Sequence, residues 1–244
     1  MFPAFKEYMD IINNHFILPV ISEQGKELRL LVDTGSPVTF LRRGLNDSFT
    51  VGAFSTSEAS QADEPLKRMA RQQVNFRDVE NNLTGSHVDG VLGADFFQTQ
   101  TVLFDTVDSR LEMGVDIPAW AKTAISISQT RVPMFNIEVG GHQLQAGWDT
   151  GAMHTVVPMG FPGTLSGETL EETDFNPFLG SFDITRRKGM IRSGPFDLGV
   201  CPVVYAPAYD LALNMFGFDA ILGTSALLGR QVFISYARKL LGIR

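Results

Sequence analysis

Two strings in the chain set a carboxylate beside a threonine and a glycine: Asp33-Thr34-Gly35-Ser36 and Asp149-Thr150-Gly151-Ala152. One such string is weak evidence, because Asp and Gly are common turn formers and a turn at the end of a strand accounts for it. Two of them raise a chemical possibility. If the turns face each other, their carboxyls come within hydrogen-bonding reach and cannot both ionise, so one keeps its proton while the other stays charged. Such a pair is acid and base at once. It can take a proton from a water held between the carboxyls, stabilise the oxyanion that forms on an attacked amide carbonyl and return the proton to the leaving nitrogen. On this reading Asp33 and Asp149 are the catalytic pair, and no metal or cofactor is called for. Thr34 and Thr150 are expected to hydrogen-bond between the turns, and Gly35 and Gly151 to offer N–H groups to the carboxylates. Ser36 faces Ala152 in the other string, an asymmetry expected to decide which carboxyl holds the proton.

The elements that must position these turns repeat along the chain. Leu18-Pro19-Val20 precedes the first string and Val132-Pro133-Met134 the second. Further on, Val88-Asp89-Gly90-Val91-Leu92-Gly93 matches Phe218-Asp219-Ala220-Ile221-Leu222-Gly223, and Val102-Leu103-Phe104 matches Val232-Phe233-Ile234, both 130 residues later. Matched blocks in the same order predict two lobes, residues 1–120 and 121–244, joined between Val115 and Thr130. Within each lobe the pattern is β. The apolar run Glu27 to Val32 enters the first string after a Glu23-Gln24-Gly25-Lys26 turn, and Gly140-Gly141 makes the corresponding hairpin turn before the second. Short helical turns are expected over Ala94 to Gln98 and Thr224 to Leu228. Phe2, Phe5, Met9 and Ile12 have helical spacing and predict an amphipathic helix at the start. The expected fold class is mainly β: a bilobal arrangement of two β-barrel-like lobes related by a pseudo-twofold axis, with short helices.

Bulk properties narrow the alternatives. The chain has 244 residues, 44% hydrophobic, with a formal net charge of -7. That balance argues against a nucleic-acid partner, and the one dense basic run, Arg186-Arg187-Lys188, reads as a solvated turn. The single cysteine, Cys201, permits no internal disulfide and reads as a buried filler. No apolar run is long enough to predict a membrane-spanning helix. Lys6, Glu7 and Asp10 interrupt any apolar leader, which gives a cytoplasmic expectation. His15, His87, His142 and His154 are scattered without metal-ligand spacing, and His154 reads as a loop residue rather than a base. No nucleophile elbow, phosphate loop or dinucleotide fingerprint is present.

The strings Leu31-Val32-Asp33-Thr34-Gly35-Ser36 and Val88-Asp89-Gly90-Val91-Leu92-Gly93-Ala94-Asp95-Phe96-Phe97 resemble the retropepsin-type aspartic peptidases, and the resemblance covers both halves. It implies the bilobal acid-protease fold, two retropepsin-like subunits fused in one chain with the bilobal logic of pepsin, so that a monomer suffices. It implies that Val91-Leu92-Gly93 and Ile221-Leu222-Gly223 lie on strands backing the two turns. It also implies an aspartic endopeptidase for regulatory or processing proteolysis, with a peptide or protein substrate between the lobes. The departure is the covering flap. Phe49 to Gly85 has no Tyr and only Gly52 and Gly85, and its Glu58 to Glu64 stretch is polar. A hairpin over Ile184 to Phe196, where Gly189 and Gly194 flank Met190-Ile191, is the better flap candidate. The missing flap motivates an alternative, a non-catalytic peptide-binding or regulatory module on the same fold.

Overall fold

The computed structural model describes residues 5–45, 47–56, 63–120, 122–176 and 180–244. The architecture is β-rich, as an acid-protease-like fold requires, with three large sheets and one small hairpin. The first sheet runs β2 (Asp10–Ile12), β3 (His15–Ile21), β4 (Glu27–Val32), β8 (Gly90–Leu92) and β5 (Phe40–Leu41). Strands β6 (Thr50–Val51) and β7 (Phe54–Ser55) form the small hairpin, followed by helices α1 (Glu64–Gln73) and α2 (Phe76–Asn82). After β8 come α3 (Ala94–Thr99), β9 (Val102–Asp105) and β10 (Arg110–Met113).

A second sheet of eight strands takes up most of the later chain. Its order is β12 (Ser126–Ile127), β13 (Pro133–Val139), β14 (His142–Trp148), β19 (Ala220–Leu222), β15 (Thr155–Val156), β18 (Phe196–Tyr205), β17 (Gly180–Ser193) and β16 (Ser166–Asn176). Helix α4 (Pro207–Phe216) ends at Gly217, whose φ of 72° supplies the left-handed cap. The third sheet collects β1 (Phe5–Tyr8), β10, β9, β20 (Gln231–Ser235), β21 (Leu240–Ile243) and β11 (Thr123–Ala124). At its centre the matched segments pair with each other: β9 and β20 are antiparallel, with Leu103 opposite Phe233 and Phe104 opposite Val232.

The elements under the two turns also match. Strand β4 runs parallel to β8 (Leu31 opposite Val91), and β14 runs parallel to β19 (Gly147 opposite Ile221). The main apolar cluster draws on both halves of the chain, with Phe16, Phe97, Phe104 and Trp148 buried together. The Phe104 and Trp148 rings meet edge to face at 5.2 Å, a favoured aromatic geometry. Smaller clusters lie to either side, one around Leu31, Val38 and Phe76 and the other around Val156, Val204 and Tyr209.

Several local expectations are corrected. The start of the chain makes β1 and β2 rather than a helix, because Asn13 and Asn14, at φ 46° and 61°, form a tight turn into β3. Phe2 lies outside the described residues. Arg186-Arg187-Lys188 lies in β17, not in a turn, and Arg186 pairs with Glu172 on the neighbouring strand at 2.8 Å through Nε. The polar stretch from Glu58 to Ala62 lies outside the described residues, and the chain after it is helical. A hairpin does form between β17 and β18 around Gly194 (φ 53°), whereas Gly189 sits inside β17 against Val203, Leu165 and Val139. Cys201 is buried, as expected. Among the described residues, no helix is long and apolar enough to cross a membrane.

Candidate functional site

Each carboxylate is fixed from behind by the strand beside it. The Asp33 N–H donates to the Leu92 carbonyl at 3.0 Å and the Asp149 N–H to the Leu222 carbonyl at 3.1 Å. Gly93 and Gly223 allow this packing. A Cβ at Gly93 would sit 2.4 Å from the Val38 carbonyl oxygen, and one at Gly223 would sit 2.3 Å from that of His154.

The turns are locked to each other by reciprocal hydrogen bonds. The Thr34 N–H donates to Thr150 Oγ1 and the Thr150 N–H to Thr34 Oγ1, both at 3.0 Å. Each hydroxyl then donates onward at 2.7 Å, Thr34 to the Trp148 carbonyl and Thr150 to the Val32 carbonyl. Both threonines are fully buried. Across this lock the carboxyls meet. Asp33 Oδ1 accepts the Gly35 and Ser36 N–H groups at 2.9 and 3.0 Å, and Asp149 Oδ1 accepts the Gly151 N–H at 2.8 Å. The glycines are dictated by close approach. A Cβ on Gly35 would lie 2.4 Å from Asp149 Cγ, and one on Gly151 would lie 2.7 Å from Asp33 Cγ.

The two acids are not equivalent. Burial raises the pKa of both, and the charge of Asp149 and the hydrogen bond to it raise Asp33 further. For Asp149 the rise from burial is opposed by the hydrogen bond from Asp33, by the Gly151 N–H and by the field of His15. The two carboxyls share a hydrogen bond, and burial holds both above the ordinary carboxylate range. The Ser36 hydroxyl donates to the Val38 carbonyl at 2.9 Å; Ala152 adds no side-chain partner. His15, which the motif reading passed over, lies against the second turn. His15 starts β3, is 4% exposed and lies between two carbonyls, Asn13 at 2.8 Å from Nδ1 and Gly151 at 3.1 Å from Nε2. Burial lowers its pKa against the pull of these carbonyls and of Asp149 and Asp174.

Three further contacts were hidden from the sequence. The Tyr209 hydroxyl on α4 donates to Asp174 on β16, while the neighbouring Phe175 packs on the first-half cluster around Leu31 and Val38. Strand β16 thus reaches across to the other half of the chain. Arg131 makes a bidentate pair with Asp63 at 2.7 and 3.0 Å and touches the Pro37 carbonyl at 3.3 Å, tying the segment before β13 to the start of α1. His154 lies in the loop after the second turn, as expected, and burial lowers its pKa.

This geometry has a thermodynamic sign. A carboxyl whose pKa is higher in the folded than in the unfolded protein favours folding most below the ordinary carboxylate range and loses that contribution as pH rises towards the folded value. Asp33→Asn cannot ionise, and its amide can donate to Asp149 while its oxygen accepts from Gly35 and Ser36. We expect it to raise stability at neutral pH by about 1 kcal/mol, roughly 2–4 °C in Tm for a chain of this size, with the gain vanishing in acid. Thermal melts across pH test this, and a difference that stays constant with pH would count against a shared proton.

No protein-family model matches the sequence, and a search of the curated proteins finds no relative. Among solved structures the chain is similar to Basic 7S globulin from soybean, with a TM-score of 0.53 and 10% identity, over 100% of this chain and 95% of that one. Identity that low speaks for the fold alone. The match also corrects the catalytic expectation. A protein described as a globulin has this fold from end to end, so the fold does not bring peptide hydrolysis with it. In addition, among the described residues the stretch between the first turn and β8 holds the β6–β7 hairpin and helices α1 and α2. The expected aspartic endopeptidase, with its assignment as a hydrolase and cytoplasmic protease, gives way to the non-catalytic alternative.

Proposed function

We propose that the chain is a non-catalytic peptide-binding or regulatory module on the aspartic-protease fold. In this reading it is built as two retropepsin-sized lobes, residues 1–120 and 121–244, and works as a monomer. The ligand is an extended peptide held between the lobes by strand-like backbone hydrogen bonds and apolar pockets. Asp33, Thr34, Gly35 and Ser36 with Asp149, Thr150, Gly151 and Ala152 form the polar floor. A carboxylic acid beside a carboxylate suits one peptide unit, because the acid can donate to the carbonyl and the carboxylate can accept from an N–H. The observation that carries the reading is β16 reaching across from the second half to place Phe175 on the first-half core, beside helix α2 of the stretch before β8.

The test is a peptide-library binding screen run beside mass spectrometry of the incubated peptides from acid to neutral pH. Wild-type protein should retain a subset of peptides intact. Asp149→Ala should weaken them by less than about tenfold, since 1.4 kcal/mol is a large share for one polar contact among many. Retention of no peptide, or cleavage that disappears in Asp149→Ala, would overturn the proposal.

A further inference from the structure

The face of α1 that looks onto β5 concentrates positive charge in a chain whose net charge is -7. Lys67 and Arg71 from the helix converge with Arg42 and Arg43, which follow β5, around a cavity of about 390 Å³. A second cavity of about 390 Å³ adjoins it, sharing Arg42, Arg43 and Arg71 and adding Arg77. Two carboxylates, Asp47 and Glu64, also line the first cavity, and each already has a partner: Asp47 accepts the Ser48 N–H at 2.9 Å, and Glu64 pairs with Arg71 at 2.8 Å.

Lys67 is the unusual member. The residue is only 7% exposed, yet Nζ is not one of the buried side-chain atoms that lack a partner, so the stem is covered while the ammonium stays reachable from the cavity. The nearby carboxylate Asp63 is taken by the bidentate contact with Arg131. A lysine whose stem is packed away keeps its charged head available to water or a ligand. The guanidinium groups around it are held with donors to spare. Arg42 uses only Nη1 for Glu80, His87 and the Val88 carbonyl, and its guanidinium is stacked on the Phe76 ring at 5.3 Å. Arg71 likewise uses only Nη1, for Glu64. Arg42 Nε and Nη2 and Arg71 Nε and Nη2 therefore have no protein acceptor among the described residues.

We propose that this cavity binds a phosphate monoester, with the Lys67 ammonium as the point charge and the guanidinium groups of Arg42, Arg43 and Arg71 as the surrounding forks. A dianion with three equivalent oxygens matches an ammonium plus several planar donors, whereas a single carboxylate would leave most of these cations unanswered. The cavity volume is at the lower end of small-ligand sites, which suits a phosphoryl group on a small body. The same group can arrive on a free metabolite or on a phosphorylated side chain.

The experiment uses the full chain at matched ionic strength, with inorganic phosphate, free phosphoserine and a phosphoserine peptide as probes, followed by calorimetry and thermal shift. Phosphate should raise the Tm saturably where chloride does not. Lys67→Met keeps the apolar stem and removes the ammonium, so the variant should fold at least as stably as wild type and bind phosphate at least tenfold more weakly. Arg43→Gln, at an exposed position, should also weaken binding and carries the test if Lys67→Met fails to fold. Equal affinity for free and peptide phosphoserine assigns a free ligand; a tenfold gain in the peptide assigns a modified side chain. Absence of a saturable phosphate effect, or wild-type affinity in the variants that fold, overturns the site.

Discussion

Thr150→Val is expected to destabilise the protein by roughly 2–5 kcal/mol, because it leaves two fully buried backbone groups without partners at about 1–3 kcal/mol each. The Thr34 N–H loses its acceptor and the Val32 carbonyl loses its donor, while valine preserves shape and adds no polar group. In Tm the loss corresponds to roughly 5–15 °C for a chain of this length. Urea unfolding gives the free energy directly, and an unchanged slope would confirm that the folded and unfolded states stay comparable. Thr34→Val should cost a similar amount, since its bonds are the mirror set. The double variant should cost clearly less than the two singles combined, because the bonds belong to one network. A loss below about 1 kcal/mol in either single variant would mean that the turns are held by something other than this lock.

Gly35→Ala should be at least as damaging, for a different reason. The added methyl has nowhere to go when Asp149 Cγ lies 2.4 Å from its ideal position, and overpacking of this kind costs typically 1–3 kcal/mol, more where the neighbour cannot yield. Asp149 yields poorly because its carboxyl is tied to the Gly151 N–H and to Asp33. The assignment of cause is tested by rescue. Truncating the obstruction with Asp149→Ala should recover most of the stability lost by Gly35→Ala, judged against Asp149→Ala alone. If alanine at position 35 is equally harmful in both backgrounds, the close contact is not its source.

The parts of the fold that were legible are those in which a short string determines its own surroundings. The Asp-Thr-Gly turns, the Gly140-Gly141 hairpin at φ 54° and 84° and the helical turns after each Leu-Gly all follow from local chemistry. What failed did so for identifiable reasons. The spacing of Phe5, Met9 and Ile12 fits a helix as well as it fits β1 and β2, and Asn13-Asn14 was the turn signal that should have decided between them. Arg186 was read as solvated because its partner, Glu172, is set by the register of two strands and not by proximity in the chain. His15 was invisible for the same reason. Nothing in its neighbours announces that β3 will deliver it to the Gly151 carbonyl, 136 residues away. The reading of function fared worst. The string that carries the chemistry is compatible with a fold that does not use it, and the covering segment that could have discriminated was legible only as a stretch without Tyr and with just Gly52 and Gly85.

The pairing of β9 with β20 bears on how the molecule is made. Synthesis proceeds from the N-terminus, so β9, β10 and β1 can assemble as soon as Met113 is available. The free side of β9 then waits until Gln231 to Ser235 emerge, near the end of the chain. Throughout that interval the nascent protein displays an apolar, unpaired edge whose natural complement is a segment of matching sequence. Such an edge invites pairing with the identical edge of a neighbouring chain on the same message. Strand β20, made much later than β9, therefore acts as the internal competitor that keeps each copy to itself, and early termination before Gln231 should yield aggregates rather than a smaller folded protein.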